Sequence, residues 1–271
     1  MPSTDISPPN VPSRVQTRHF ATLRTIIALM LREMSTRYGR SPGGYLWAIL
    51  EPLGGTLVLA AGFSLLVRSP ALGNSFILFY ATGMMPFTLY NSVANSIANS
   101  LNFSRPLLRY PSVTWLDAAL ARFILNTLTN LMVISLLFTG ILIIAKTGSV
   151  LSFGPILTAL ALAAFLGLGV GLMNCLLSGL YPAWSMIWSI ITRPLFLASG
   201  VLMLMERLPH AVQQVLWYNP LFHVIGLMRR GFYPMYKATY VSTAYVVAVG
   251  LALCALGLVL LMRYHKDILS T

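Results

Sequence analysis

Charge is scarce in this sequence: Asp, Glu, Lys and Arg make up only 9% of its 271 residues, and the six acidic ones are scattered from Asp5 to Asp267. Proton relays, intramembrane cation pumps and acid–base catalysts depend on convergent carboxylates. Only Glu51, near the start of an apolar run, approaches such a placement. Cysteine is scarcer still, with two residues. Cys175 and Cys254 share no CxxC or metal-ligand spacing, and each sits inside an apolar run, as small packing residues do. There is no HExxH, no GxSxG and no GxxxxGK(S/T) loop; the nearest approach to the last, at 140–147, has Ala145 where the second glycine belongs. Nucleotide is therefore not bound through that motif, and no metal or other cofactor is expected in this chain.

What abounds is apolar length. Hydrophobic residues are 57% of the chain and gather into runs at 45–67, 76–97, 123–145, 153–177, 184–205 and 241–262. A bilayer core about 30 Å thick needs about 20 apolar residues in a helix, so each run is long enough to cross. Inside lipid the backbone must satisfy its own hydrogen bonds, which makes each run a helix. The expected fold class is an all-α integral membrane protein with about six transmembrane helices, leaving no room for a separate catalytic domain.

The formal net charge of +12 suggests nucleic acid in a soluble protein, but these basic residues flank apolar runs. That placement fits topology and anionic lipid headgroups, with no nucleic-acid partner. Arg14, Arg18, Arg24, Arg32, Arg37, Arg40, Arg105, Arg109, Arg122, Arg263 and Lys266 lie on one side of the alternating spans. They outnumber Arg68, Lys146, Arg207, Arg229, Arg230 and Lys237 on the other. Both termini are accordingly expected to be cytoplasmic, as an even number of spans also requires.

Residues 1–14 are polar, carry Pro2, Pro8, Pro9 and Pro12, and show no secretory apolar core or cleavage site, so a disordered, retained N-terminus is expected. Residues 15–44 read as an amphipathic interface helix. Phe20, Leu23, Ile27 and Met34 recur at helical spacing, arginines occupy other faces, and Gly39, Pro42, Gly43 and Gly44 end it. Such a helix lies flat in the headgroup layer or packs on a partner protein, and the two are compatible. The permease-sized remainder, 45–271, contains two longer connectors. The one at 99–122 mixes Phe103, Leu107 and Leu108 with Arg105 and Arg109, as either a short surface helix or an arginine-anchored turn does. The one at 206–240 is aromatic and broken by Pro209, Pro220 and Pro234, which predicts re-entrant helices. Its rings suit either a sugar-lined cavity or an interfacial belt.

Within the spans, Gly167, Gly169 and Gly171 include a GxxxG spacing that allows close helix approach. Arg193, followed by Pro194, is a strongly basic residue well inside a run. Such a residue either lines a route for an anionic substrate or is paired within the protein.

The stretch LREMSTRYGRSPGGYLWAILEP at 31–52 is similar to the start of the type-2 ABC transporter permeases, within them the KpsM-type capsular polysaccharide exporter permeases. The resemblance continues through Asn102, Phe103, Arg105, Pro106, Pro111 and Asp117, then Arg193, Pro194 and Leu195, then Asn219, Pro220, Leu221 and His223. It implies an inner-membrane permease working as a homodimer, powered by two cytoplasmic ATPase subunits that hold the ATP and Mg. Arg24, Arg32, Arg37 and Arg40 would belong to the interface helix. Asn102, Phe103, Arg105, Leu108 and Arg109 would couple to the ATPase, and 206–240 would form the outer gate. The substrate implied is a lipid-linked polysaccharide passed to a periplasmic co-polymerase and an outer-membrane exporter. Its conduit candidates are Arg193, Trp184, Trp188, Trp217, Tyr218, Phe222 and Tyr233. An O-antigen or teichoic-acid permease of the same class is the near alternative. A membrane-embedded glycosyl or acyl transferase is the distant one, with only His210, His223 and Glu206 to offer as catalytic groups.

Overall fold

The computed structural model describes residues 21–38, 44–66, 68–106, 113–145 and 151–270. Among them all regular structure is helical: α1 (Ala21–Tyr38), α2 (Gly44–Leu66), α3 (Phe76–Ala98), α4 (Ser100–Ser104), α5 (Trp115–Ala145), α6 (Phe153–Leu180), α7 (Trp184–Ala198), α8 (His210–Trp217), α9 (Pro220–Phe232) and α10 (Thr243–Ser270), with a 3-10 turn at Met205–Arg207. The N-terminal segment 1–14, Arg40, Leu108 and Arg109 lie outside the described residues, and Arg37 enters only as part of the α1 backbone.

Three helical stretches, Trp115–Ile144, Phe153–Leu180 and Thr243–Ile268, are long and apolar enough to cross a membrane, and α2 adds a shorter apolar stretch at Ile49–Leu65. α3 is different in kind. It carries Thr82, Thr88, Asn91, Ser92, Asn95 and Ser96, and it is wrapped by α2, α5, α6 and α9. Its packing against α6 is the most extensive of any pair. The α6 glycines explain this. A Cβ at Gly167 would stand 2.8 Å from the Tyr90 carbonyl oxygen, and one at Gly171 2.8 Å from Ile97 Cβ, so only bare backbone admits α3 this closely. Gly169, on the other face, receives α10 at Leu253 and Gly250.

Among the helix boundaries that differ from those the apolar runs suggest, two bear on the site. α5 begins at Trp115 rather than at 123, because Thr114 and Asp117 form a reciprocal cap. The Asp117 N–H donates to Thr114 Oγ1 at 3.2 Å, and the Thr114 N–H donates to Asp117 Oδ2 at 3.0 Å. Arg122 is thereby moved from a connector into a buried helical turn. The run 184–205 also divides. α7 stops at Ala198, and Gly200 takes a left-handed conformation, φ 81°, beneath the Phe222 ring. Only glycine adopts that backbone without strain. The chain beyond it is non-helical up to the 3-10 turn.

Candidate functional site

Thr88, Asn91, Ser92, Asn95 and Ser96 of α3 line common open space. Asn91, Asn95 and Asn99 recur every four residues and so share one helix face. That face looks into a cavity of about 740 Å³ walled by α2 (Glu51, Pro52), α5 (Asn126, Thr129, Asn130, Val133) and the far end of α7 (Phe196). A second cavity of about 510 Å³ continues it along α7, where Ser185, Trp188, Ser189, Thr192 and Arg193 oppose Asn91 and Asn95. Phe87 and Phe196 border both, packed edge to face at 5.1 Å.

The α3–α5 seam is fixed by two amide rungs. Asn126 Nδ2 donates to Ser96 Oγ at 2.6 Å, and Asn130 Nδ2 donates to Ser92 Oγ at 3.0 Å. Each amide also bonds a carbonyl one turn back on its own helix, at Arg122 and Asn126. Two rungs one turn apart on antiparallel helices set the register, because a slip leaves both amides stranded.

At the α1 end of the cavity, a buried ion pair ties three elements together. Arg122 Nε lies 3.1 Å from Glu33 Oε2, with both side chains only 8% exposed. Arg122 Nη1 donates to the Ser96 carbonyl at 2.9 Å. The same guanidinium sits 4.3 Å over the Phe103 ring, and Arg32 approaches that ring at 5.5 Å. Phe103 thus holds α4 against both α1 and α5 through cation–π contacts. Asn102 and Arg105, beside it, are exposed, as is Arg24 on α1.

At the opposite end, Arg229 of α9 is fully buried. Its Nη1 and Nη2 donate to the carbonyls of Met203 and Val201 at 2.9 and 2.8 Å, and its guanidinium lies 4.4 Å over Phe79. The carbonyls that the chain frees by leaving α7 are those this arginine satisfies. Beside it, the Tyr236 hydroxyl donates to Glu206 Oε2 at 3.3 Å and lies 3.4 Å from the Tyr240 hydroxyl. Burial pushes the Tyr240 phenol up to about 12, so it remains neutral at ordinary pH.

The conduit candidates fall into two groups. Arg193 and Trp188 line the second cavity, and Trp184 stacks on Trp188 at 6.5 Å while donating its indole N–H to Asn174 Oδ1 at 2.9 Å. Trp217, Phe222 and Tyr233 pack around α8 and α9 and line neither cavity. Trp217 Nε1 donates to the Tyr240 carbonyl, Phe222 is buried against Gly200, and the Tyr233 ring meets Gly73. Tyr218 is 70% exposed. His223, the one histidine with a catalytic look, is fully buried with both ring nitrogens engaged: Nε2 with the Trp217 carbonyl at 2.7 Å, Nδ1 accepting from the Ser242 N–H at 3.1 Å. Both nitrogens are structural, and His210 is exposed on α8.

The asparagine face, the Glu33–Arg122 pair and the burial of Arg229 are features of the structure that the sequence reading above does not single out. The first carries a readable signal, polar residues repeating at four within apolar runs. The other two carry none, since their partners lie far off in the chain.

Polar side chains facing open space within a bundle of apolar helices are an arrangement that a membrane transporter requires. The chain belongs to the ABC-2 type transporter family, whose sequence model matches residues 24–233. It is similar to the polysialic acid transport protein KpsM of Escherichia coli, 29% identical over 247 residues that cover 91% of this chain and 96% of the relative. It is also similar to the capsule polysaccharide export inner-membrane proteins CtrC of Neisseria meningitidis serogroup A (27% over 245 residues) and BexB of Haemophilus influenzae (27% over 246 residues). Each match covers 90% of this chain and 92% of the relative.

Proposed function

We propose that the chain is the permease subunit of an ATP-driven exporter that carries a lipid-linked capsular polysaccharide across the bacterial inner membrane. The observation that carries this reading is the asparagine- and serine-lined cavity inside an apolar bundle, in a family member whose relatives are named for polysialic acid transport and for capsule polysaccharide export. Asparagine side chains are too costly to leave in lipid, and a polymer rich in hydroxyls is the cargo that amide and hydroxyl walls solvate.

In this reading the chain crosses the membrane about six times with both termini cytoplasmic, and two copies enclose one conduit. α1 lies on the cytoplasmic face with α4, and the Phe103 region receives one of two separate ATPase subunits, which bind the ATP and Mg. α8 and α9 are the re-entrant gate helices on the outer side, near the hand-over to a periplasmic co-polymerase and outer-membrane exporter. Arg193, reached along the second cavity, meets the phosphate of the lipid anchor or a sugar carboxylate through a charge-assisted bond that a moving chain makes and breaks. The experiment is deletion in the native host with surface polymer quantified and the lipid-linked glycan retained inside identified. Loss of surface capsule with internal accumulation is expected. Unchanged capsule in a strain with no compensating permease refutes the assignment, and accumulation of O-antigen or a teichoic acid instead redirects it.

A further inference from the structure

One charged pair of the bundle stands where a purely stabilising role accounts for it poorly. Glu33 and Arg122 meet at 3.1 Å with side chains only 8% exposed, and both line the first cavity together with Phe103. Withdrawing two charges from water offsets most of their attraction, and apolar side chains of similar size hold helices together as well. A pair of this kind has its best use where it can open.

The two partners are held unequally. Arg122 has a seat that does not depend on Glu33: its Nη1 donates to the Ser96 carbonyl of α3 at 2.9 Å, and its guanidinium rests 4.3 Å over the Phe103 ring of α4. Its Nε–H is given to Glu33 Oε2, on a different helix. That helix is the more loosely attached partner. α1 packs mainly on α5 and leaves Leu23, Ile27 and Leu31 exposed. Arg32, the residue before Glu33, reaches the Phe103 ring at 5.5 Å, so a displacement of α4 acts on α1 and on the pair together. Withdrawal of Glu33 leaves a guanidinium fixed by α3 and α4 on a cavity wall that also carries Asn99 and Asn126. A guanidinium fixed in this way takes carboxylate or phosphate oxygens through charge-assisted hydrogen bonds.

Resting on the export reading, we propose that Arg122 is a masked anion site at the α1 end of the first cavity, with Glu33 as the group that covers it. Its ligand is an anionic oxygen group of the cargo, either a carboxylate of the sugar repeat or the phosphate of the lipid anchor. In the conformation described, Glu33 occupies the site. A shift of α1 away from α5, passed on through Phe103 when the ATPase moves α4, exchanges Glu33 for the cargo's anion, and the return of Glu33 expels it. Capture and release then alternate with the ATPase cycle instead of depending on one fixed affinity.

The test titrates the purified full-length chain in detergent and reads its melting temperature, which rises when a ligand binds the folded state. The probes are a glucuronic acid oligomer, a short-chain phosphatidylglycerol and, as the uncharged control, a maltooligosaccharide. Glu33→Gln keeps the shape of the cover and removes its charge. It is expected to respond to an anionic probe at a concentration about tenfold lower than the parent requires, and not to respond to the control. A response to the glucuronic acid oligomer assigns the site to the sugar repeat, and a response to the phosphatidylglycerol assigns it to the anchor. Glu33→Gln/Arg122→Gln is expected to lose the response. Equal midpoints in Glu33→Gln and the parent overturn the mask, as a merely structural pair would lower the melting temperature without changing what the probes do. An undiminished response in the double variant overturns Arg122 as the receptor. If the double variant fails to accumulate, Glu33→Gln/Arg122→Lys is read by the same criterion, since one ammonium cannot serve both the Ser96 carbonyl and a planar oxyanion. If Glu33→Gln fails to accumulate, Glu33→Ala takes its place. A deletion strain that keeps its surface polymer defeats the export reading itself, whereas a flat titration beside a capsule-negative deletion strain defeats only the masked site.

Discussion

Two arginines of the bundle do opposite work. Arg193 is exposed to the cavity, while Arg229 is sealed inside and spends its guanidinium on two backbone carbonyls and a phenylalanine ring. Arg229→Lys is expected to destabilise the purified protein, since one ammonium cannot serve both Val201 and Met203 and stack on Phe79, and each stranded carbonyl costs about 1–3 kcal/mol. A thermal melt in detergent checks this, and Arg193→Ala in the same assay should melt like the parent while exporting less polymer. Phe103→Ala removes the ring shared by Arg32 and Arg122, so the ATPase should still copurify but hydrolyse ATP without moving polymer. Unaltered coupled transport in that variant would place the docking contact elsewhere. Arg193 is legible in the sequence because a cation inside an apolar run stands out. Arg229 is not, because it sits next to Arg230 in a connector and its burial depends on Phe79 and on the turn after α7.

Among the elements, α6 and α3 form the frame on which the cavity rests, and their closeness rests on glycine. Gly171→Val is expected to force the helices apart against Ile97 and the Ala94 carbonyl and to lower the yield of folded protein sharply. Gly140→Ala on α5, whose added methyl meets nothing within 4 Å, should be neutral or stabilising by about 0.5–1 kcal/mol. Thermal melts of the two variants side by side make the comparison. The apolar runs mark where helices lie, because length and hydropathy alone determine that. They misplace the start of α5 and the end of α7, because a Thr114–Asp117 cap and a left-handed Gly200 are local devices that act without changing average apolarity. The GxxxG spacing, by contrast, foretells a close helix pair and leaves only the partner unnamed.

At the scale of the whole molecule, α7 presents a face left open. α7 has no buried residue in the single chain, and Met186 and Ile190 are 70% and 61% exposed. In the proposed homodimer this side closes the conduit against a second copy, so Ile190→Cys should cross-link in native membranes, and both native thiols are buried and silent. Failure of cysteines scanned along all faces of α7 to cross-link would move the dimer contact to another helix. The buried Glu33–Arg122 pair has a further consequence for how the fold responds to its medium. Counterions gather only where a field draws them, and at physiological strength they mute such fields beyond about 8 Å. Ions reach poorly a 3.1 Å pair that is only 8% exposed, so the thermal melt of the purified protein should stay level as potassium chloride is raised.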